Sequence, residues 1–372
     1  MNTNHIPPVI RSWQMCRPRH AFAAARESNG WALMRRDVPS PELKEGEVLL
    51  AIAGCGVCGT DIGYFYQGIP TVTKPPLILG HEISGTVVAG EPSWLGKEAI
   101  VPAILPCREC ELCRAGKPNR CLRQKMPGNS YGVYGGFASH IPVPARELCA
   151  VPQRNGLALE QLAVVADAVA TPYHAARRAD LKPGDQVIIV GITGGLGIFL
   201  AQWAKQFGAK TVVGLGRNPA KLASSLSYGA DFTINITGKS PADVKKDFFK
   251  ECRRRNVHSK SGWKIFEMTG TRAGQEIALE LIGPAGLLVL VGYSPECVSW
   301  PPSRLMAYDA EVRGTWACPP EHYPGILDRV LAGDIRVSPL VETRPMSDIA
   351  ATFAEIRTDG HPGKRIVLVP DF

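Results

Sequence analysis

The stretch QVIIVGITGGLGIFLAQWAKQF, residues 186–207, joins an apolar run to a glycine-rich turn and then to an amphipathic segment. An uninterrupted apolar run predicts a strand in a parallel sheet whose two faces are both covered. The segment after the turn predicts a helix, since large apolar residues recur on one helical face: Leu196, Leu200, Trp203 and Phe207. Glycines between such a strand and helix let the backbone approach a pyrophosphate, which then lies on the helix N-terminus. The stretch therefore predicts a dinucleotide site at Gly191, Gly194, Gly195, Leu196 and Gly197.

The alternation of strand-like and helix-like segments continues downstream of this turn. Strands are predicted at 211–215, 232–235, 264–270 and 287–293, and helices at 218–228, 241–254 and 272–282. Such alternation is typical of βαβ units, in which each strand is followed by a crossover helix. Residues 172–324 therefore predict a doubly wound α/β domain.

The sequence before this domain has a different texture. Short apolar runs, such as 47–54 and 83–90, are separated by Gly/Pro turns, which predicts a β-rich domain over residues 1–171. The tail, 325–372, carries one helix pattern, ILDRVLAGD, and a final strand pattern, RIVLV. We expect this tail to return to the first domain, so the predicted fold is α/β plus β.

Composition restricts the class of protein. A chain of 372 residues with 45% apolar residues is too long for one compact core and suits two domains. We find no apolar run of about 18 residues and no signal-peptide core, and therefore expect a soluble cytoplasmic protein. The net charge of +8 permits an anionic partner. The basic residues are scattered without a nucleic-acid motif, so neither nucleic acid nor membrane is a predicted partner.

The strongest local motif is PCRECELCRAGKPNRC, residues 106–121. It spaces four cysteines as C-x2-C-x2-C-x7-C: Cys107, Cys110, Cys113 and Cys121. Four thiolates at this spacing can surround one tetrahedral zinc ion in a closed, structural site. An iron–sulfur cluster is the alternative, but in that pattern the fourth cysteine comes sooner and a proline follows it, whereas Leu122 follows here.

A second group of metal-ligand residues is more dispersed. The glycine-rich stretch AIAGCGVCGTDIG, residues 51–63, holds two cysteines, and GHE follows at 80–82. A catalytic zinc needs three protein ligands and one open position. Alone, a cysteine and a histidine so far apart would more often be unrelated core residues. Together with the four-cysteine motif at 106–121, called the cysteine lobe below, and the glycine-rich turn at 191–197, they favour a catalytic zinc site.

Four motifs occur in order along the chain: CGVCGTDIG, GHEISGTVV, the cysteine lobe and VGITGGLG. In these motifs and their order the chain resembles the zinc-dependent medium-chain alcohol dehydrogenases, and the resemblance covers nearly the whole chain. The resemblance implies a GroES-like catalytic domain and a Rossmann domain that binds a dinucleotide. It implies that zinc is bound by Cys58, by His81 and by Asp167, which stands where many members have cysteine. Cys55 then becomes a small buried residue.

Further roles follow from the same resemblance. Glu82 matches a residue that lies beside the metal and coordinates it in some states, and Thr60 matches the hydroxyl that bonds the substrate oxygen. Thr171 matches a residue beside the nicotinamide, and Arg217 and Arg365 are the basic residues expected at the cofactor. The family also implies a homodimer or homotetramer.

Two positions depart from the family pattern. Gly63 replaces a histidine that relays a proton to solvent, so another route is needed, and Tyr64 and Tyr66 are alternatives. Gly216, followed by Arg217, replaces the acidic residue that binds the ribose 2′-hydroxyl of NAD. By that mechanism alone, an arginine without the acid favours NADP.

A closer resemblance favours NAD over NADP. It rests on residues 63–88 and 124–145, called the signature segments below, and on the ending VLVPDF. These resemble members that oxidise a cyclic hydroxyacyl-CoA thioester with NAD in aromatic degradation. We therefore predict two zinc ions per chain, NAD as cofactor and a CoA-thioester substrate, whose cyclic allylic secondary alcohol is oxidised to an enone.

Three other hypotheses stay open at this point. The same site could add water to the enone, with Glu82 as the group that activates the water. The chain could instead be an NADP-dependent dehydrogenase or reductase of a simple secondary alcohol or aldehyde. It could also be a non-catalytic zinc-binding protein on the same fold.

Overall fold

The computed structural model describes residues 6–18, 28–359 and 363–372. The chain divides into two compact units: unit 1 comprises Met1–Ala170 with Ala317–Phe372, and unit 2 comprises Thr171–Trp316. The first boundary lies one residue from the predicted one at 171, and the return to unit 1 begins before the predicted residue 325.

Unit 1 is the β-rich unit. Its strands are β1 (Val9–Cys16), β2 (Ala32–Pro39), β3 (Glu47–Gly56), β4 (Leu77–Ile78), β5 (Glu82–Gly90), β6 (Glu98–Val101), β7 (His140–Pro144), β8 (Cys149–Ala150), β15 (Val341–Pro345) and β16 (Arg365–Val369). Its helices are α1 (Gly59–Tyr66), α2 (Glu111–Arg114), α9 (Tyr323–Leu331) and α10 (Ile349–Asp359). A larger sheet has the order β15-β16-β3-β5-β6-β8, with β7 also paired to β3, and a smaller sheet has the order β2-β1-β4.

The tail contributes directly to the larger sheet of unit 1. Strand β16 is antiparallel to β3, with Leu368 opposite Cys55. The predicted helix and final strand of the tail are present, and the structure adds β15 and α10. The predicted return of the tail to the first domain is therefore seen in the sheet itself.

Unit 2 is a doubly wound α/β unit. Its strands are β9 (Gln186–Val190), β10 (Thr211–Gly216), β11 (Phe232–Asn235), β12 (Trp263–Glu267), β13 (Leu287–Leu290) and β14 (Glu311–Gly314). Its helices are α3 (Ala170–Arg178, from the last residue of unit 1), α4 (Gly197–Gln206), α5 (Pro219–Ser225), α6 (Pro241–Arg254), α7 (Arg272–Leu281) and α8 (Ser303–Tyr308). The strands are parallel in the order β11-β10-β9-β12-β13-β14. This is the Rossmann order, so the predicted fold class is confirmed.

The apolar run at 186–190 is covered on both faces of the sheet, as predicted. Val187 and Ile189 pack into one hydrophobic core, while Ile188 and Val190 pack into a second core. Successive side chains of a strand point to opposite faces, so a strand between two helical layers needs apolar residues at every position. None of the helices within the described ranges is both long and apolar enough to cross a membrane.

Candidate active site and zinc sites

Cys58 lies at the junction of β3 and α1 in unit 1. It is the N-cap residue of α1 and is 6% exposed. Its backbone N–H donates to Oδ2 of Asp61, the third helical residue, at 2.9 Å, and this bond belongs to a capping box. The helix start therefore fixes the position of the Cys58 sulfur.

Asp61 also fixes the position of His81. The Gly80 N–H donates to Asp61 Oδ1 at 3.0 Å, and His81 Nδ1 lies 3.7 Å from the same oxygen. Asp61 is fully buried. Sequence reasoning did not assign it to the site, although an aspartate three residues after Cys58 carries the capping-box spacing.

The third predicted zinc ligand, Asp167, comes from a distant part of the chain. Asp167 follows the 3-10 helix Glu160–Ala166, and its Oδ2 lies 3.6 Å from Cys58 Sγ and 3.6 Å from His81 Nε2. Together with Glu82, these residues offer ligand atoms that all lie within 4.8 Å of one another. Tetrahedral zinc with bonds of about 2.0–2.3 Å holds its ligand atoms about 3.3–3.8 Å apart. The structure thus brings the predicted catalytic ligands together at a spacing that fits zinc.

The electrostatics of this cluster favour a cation at its centre. Burial by itself lowers the pKa of His81, but the neighbouring Asp61 and Asp167 outweigh it and hold that pKa well above its ordinary value. A zinc ion would compete with this proton for the same side chain, since a metal-binding histidine is neutral. The donor set of thiolate, imidazole and carboxylate is one that zinc accepts.

Glu82 is paired on both of its oxygens with Arg365. Arg365 Nε donates to Glu82 Oε2 at 3.0 Å, a second guanidinium nitrogen donates to Oε1, and both side chains are buried. A Cβ at Gly56 would lie 2.0 Å from Glu82 Oε2, so only glycine leaves room for this carboxylate. Arg365, predicted at the cofactor, lies behind the candidate metal site in unit 1. Its contact with a cofactor stays a prediction.

Two other residues of the glycine-rich stretch 51–63 lie close to Cys58 in the chain. Thr60 is partly exposed, and its Oγ1 lies 3.6 Å from Cys58 Sγ. Cys55 is fully buried, and burial raises its thiol pKa well above the ordinary value, as for an inert core residue.

The structure explains what fills the place of the missing histidine. A Cβ at Gly63 would lie 2.7 Å from Ile69 Cδ1, so an apolar side chain occupies that space. Tyr64 is buried within the core of unit 1, and the Tyr66 ring is stacked beneath the Arg357 guanidinium at 4.6 Å. A proton route through Tyr64 or Tyr66 stays a prediction.

The four cysteines of the lobe form the second ligand group. Sγ–Sγ distances are 3.4 Å for Cys107–Cys121, 3.5 Å for Cys110–Cys113 and 3.8 Å for Cys110–Cys121. These match the edges of a zinc–sulfur tetrahedron, about 3.8 Å for bonds of about 2.3 Å. Hydrogen bonds from the backbone N–H groups of Glu109 and Cys110 lower the pKa of Cys107 to about 6. Backbone donors that favour the thiolate are what a metal-binding sulfur requires.

An ion-pair network connects this lobe to the rest of unit 1. Arg108 has a positive φ of 67° within the cysteine loop, and its Nε donates to Glu147 Oε1 at 2.8 Å. Its other nitrogens pair with Glu147 and Glu321. Because Glu147 is buried, the contact fixes the loop to the body of the unit.

The glycine turn of unit 2 connects β9 to α4, as predicted. Gly191 has a φ of 91°, and Leu196 is the N-cap residue of α4. A Cβ at Gly197 would lie 2.2 Å from the Gly191 carbonyl oxygen, so the turn is tight enough to exclude other residues there. Gly194 and Gly195 lie between these positions, before the first turn of α4. The N–H groups at the start of α4 are the anion-binding feature of this fold.

The second departure from the family pattern, Gly216 in place of an acidic residue, lies at the end of β10. A Cβ at Gly216 would lie 3.0 Å from both Thr193 Cγ2 and Leu222 Cδ2, so an acidic side chain would need both neighbours to shift. Arg217 follows and is exposed, while Thr171 is buried on α3. The predicted roles of Arg217 and Thr171 stay predictions.

Comparison with known proteins agrees with this geometry. Residues 44–153 match the alcohol dehydrogenase GroES-like domain, and residues 195–332 match the zinc-binding dehydrogenase family. An alcohol dehydrogenase of Geobacillus stearothermophilus is 32% identical over 343 residues, which cover 91% of this chain and 95% of the relative. The chain belongs to the zinc-dependent medium-chain alcohol dehydrogenase family.

Other members of the family are similar over most of this dehydrogenase. Sorbitol dehydrogenase of Bombyx mori is 28% identical, covering 86% of this chain and 92% of the relative. The structure of acetophenone reductase from Geotrichum candidum in complex with NAD has a TM-score of 0.81 and 25% identity, and the match covers 98% of each chain. The enzyme is thus an oxidoreductase acting on CH–OH groups. Its predicted cofactors, zinc and a nicotinamide dinucleotide, are confirmed at the level of the family.

Proposed function

We propose that this dehydrogenase oxidises 6-hydroxycyclohex-1-ene-1-carbonyl-CoA to the enone with NAD, a step of anaerobic benzoyl-CoA degradation. The proposal rests on the resemblance of the two signature segments and the chain ending to that enzyme. The family assignment supports the reaction class, and the substrate is the finer part of the proposal.

The observation that carries the proposal is where the signature segments lie. They are hydrogen-bonded to each other: Thr73 N–H donates to the Asn129 carbonyl at 2.9 Å, and Gly136 N–H donates to the Gly80 carbonyl at 2.8 Å. Gly80 directly precedes His81, so its bond with Gly136 joins the two segments next to the candidate metal site. Sequence that distinguishes one substrate class from another is expected at such a place.

The chain supplies the charge and the groups that this chemistry needs. Zinc, when bound, is a Lewis acid that lowers the pKa of an alcohol hydroxyl, and the nicotinamide accepts a hydride. The thiolate of Cys58 and the carboxylate of Asp167 together carry two negative charges, which match one Zn²⁺. Thr60, whose Oγ1 lies 3.6 Å from Cys58 Sγ, is the group proposed to bond the substrate oxygen and pass on its proton. The assembled ligand set favours catalysis over the non-catalytic alternative.

Hydration of the enone stays a prediction. The pairing of Glu82 with Arg365 argues against Glu82 as the group that activates the water. Burial raises the pKa of Glu82, and Arg365 opposes this shift. A neutral ion pair is a weaker base than an isolated carboxylate, and a water at Glu82 would have to share its oxygens with Arg365. The homodimer or homotetramer expected from the resemblance also stays a prediction.

A second candidate is an NADP-dependent dehydrogenase or reductase of a simple secondary alcohol or aldehyde. Two observations favour it. Arg217 follows β10 without an acidic residue before it, and the relatives described above are named for simple alcohol, polyol and ketone substrates.

A substrate panel separates the two candidates. The zinc-loaded enzyme is assayed with 6-hydroxycyclohex-1-ene-1-carbonyl-CoA, cyclohexanol and sorbitol, each with NAD and with NADP. The proposal expects the highest kcat/KM for the CoA thioester with NAD. Thr60→Val should abolish turnover of it, while Thr60→Ser retains the hydroxyl and turnover. Equal or higher kcat/KM for the free alcohols would refute the substrate assignment.

A further inference from the structure

A buried carboxylate at the end of β12 takes no part in the sites described above. Glu267, the last residue of β12, is fully buried. Its Oε1 accepts a hydrogen bond from the Thr269 N–H at 2.7 Å and another from the Thr269 hydroxyl, and its Oε2 accepts one from the Gly270 N–H at 3.3 Å. Its main-chain oxygen accepts from Val291 N–H at 3.0 Å and Gly292 N–H at 3.1 Å. Glu267 therefore connects the loop after β12 to the loop after β13.

The network extends from Thr269 in two directions. Its hydroxyl lies 2.9 Å from the hydroxyl of Thr271, which caps α7 by accepting from the Gly274 N–H at 3.1 Å. Its methyl group packs against the glycine turn, since a Cβ at Gly191 would lie 2.6 Å from it. One carboxylate thus holds the β12 loop and, through the hydroxyl of Thr269, connects it to the start of α7.

These loops lie where a doubly wound unit binds its ligand. Strands β9 and β12 are neighbours, and the chain leaves β9 towards β10 and β11 but leaves β12 towards β13 and β14. Ligands bind outside the carboxyl ends of the strands at such a switch point. The acidic position after β10 belongs to the adenosine half of a dinucleotide, so the β12–β14 half is the side of the nicotinamide nucleotide.

We propose that Glu267 is a positioning residue for the nicotinamide half of the dinucleotide. A carboxylate suits this role because it only accepts hydrogen bonds, and three donors converge on it. Glutamine would turn one acceptor oxygen into a donor facing a donor. The inference rests on the dinucleotide cofactor of the proposed function and is independent of the CoA-thioester substrate.

The test compares binding of a whole dinucleotide with binding of its adenosine half. Zinc-loaded Glu267→Gln is titrated with NADH, with NADPH and with ADP, and its zinc content is measured. The Kd for the dinucleotide that the wild type prefers should rise roughly tenfold or more, while the Kd for ADP changes less than about threefold. Glu276→Gln, which removes a surface carboxylate paired with Arg272 on α7, is the matched control and should leave both values unchanged.

A second variant keeps the proposal testable if Glu267→Gln does not fold. Thr269→Val keeps the shape of the side chain, removes the hydroxyl bonded to Glu267, and should show the same selective loss for the dinucleotide. Equal losses for the dinucleotide and for ADP, or no loss for either, would overturn the proposal. A failed substrate assignment leaves these binding constants unaffected, so the two failures can be told apart.

Discussion

Replacing Asp61 by asparagine should weaken zinc binding at the candidate active site. In the native site, one carboxylate oxygen accepts the Cys58 N–H at 2.9 Å and the other accepts the Gly80 N–H at 3.0 Å. Asparagine keeps one acceptor and places an NH2 group opposite the other N–H. The site is buried, so water cannot replace the lost bond.

The size of the effect follows from this geometry. Losing one hydrogen bond to a charged group costs about 1.5–3 kcal/mol. The segments held by Asp61 carry the ligands Cys58 and His81, so part of this loss should appear as metal affinity. Loss of a partner that orients metal ligands typically lowers affinity by roughly 10–100-fold, or about 1.4–2.8 kcal/mol.

The assay is a competition titration against a chromophoric zinc chelator, combined with metal analysis and thermal melts. Asp37→Asn, at an exposed position on β2, is the matched control and should behave as the wild type. The cysteine lobe should keep its zinc in both variants, because Asp61 is no part of it. Unchanged zinc affinity at the candidate active site in Asp61→Asn would refute the reasoning.

Cys58→Ser should remove activity and one zinc ion from a folded protein, whereas Cys110→Ser should lower Tm, because a closed four-sulfur site contributes folding energy. Metal analysis and melts separate the two, and full activity of Cys58→Ser would show the ligand assignment to be wrong. Arg365→Met leaves Glu82 buried without its cation and should lower the free energy of unfolding by about 3–5 kcal/mol, measured in urea. Adding Glu82→Leu should recover part of that loss, and no recovery would contradict the ion-pair argument. The wild type should have a higher kcat/KM with NAD than with NADP, and Arg217→Ala should widen the difference by removing a cation that attracts a 2′-phosphate. A wild-type preference for NADP above about tenfold, equivalent to ~1.4 kcal/mol, would overturn the NAD assignment.

The features that the sequence determined by itself are local ones. Strand β11 and helix α6 have their predicted bounds, because a strand run or a helical face repeats within a few residues. The glycine turn and the cysteine lobe were predictable for the same reason: each places all of its functional atoms within a short segment. Spacing along the chain is then nearly equivalent to spacing in the molecule.

The features that only the tertiary structure decided join distant segments. Arg365 lies 283 residues from Glu82, yet the two side chains form a buried ion pair. No local pattern marks these partners, since a single carboxylate or guanidinium looks the same whether it is solvated or buried. Glu267 at the end of β12 carries no motif either. Its role follows from the parallel sheet, which brings the loops after β12 and β13 to one edge, where their backbone donors need a buried acceptor.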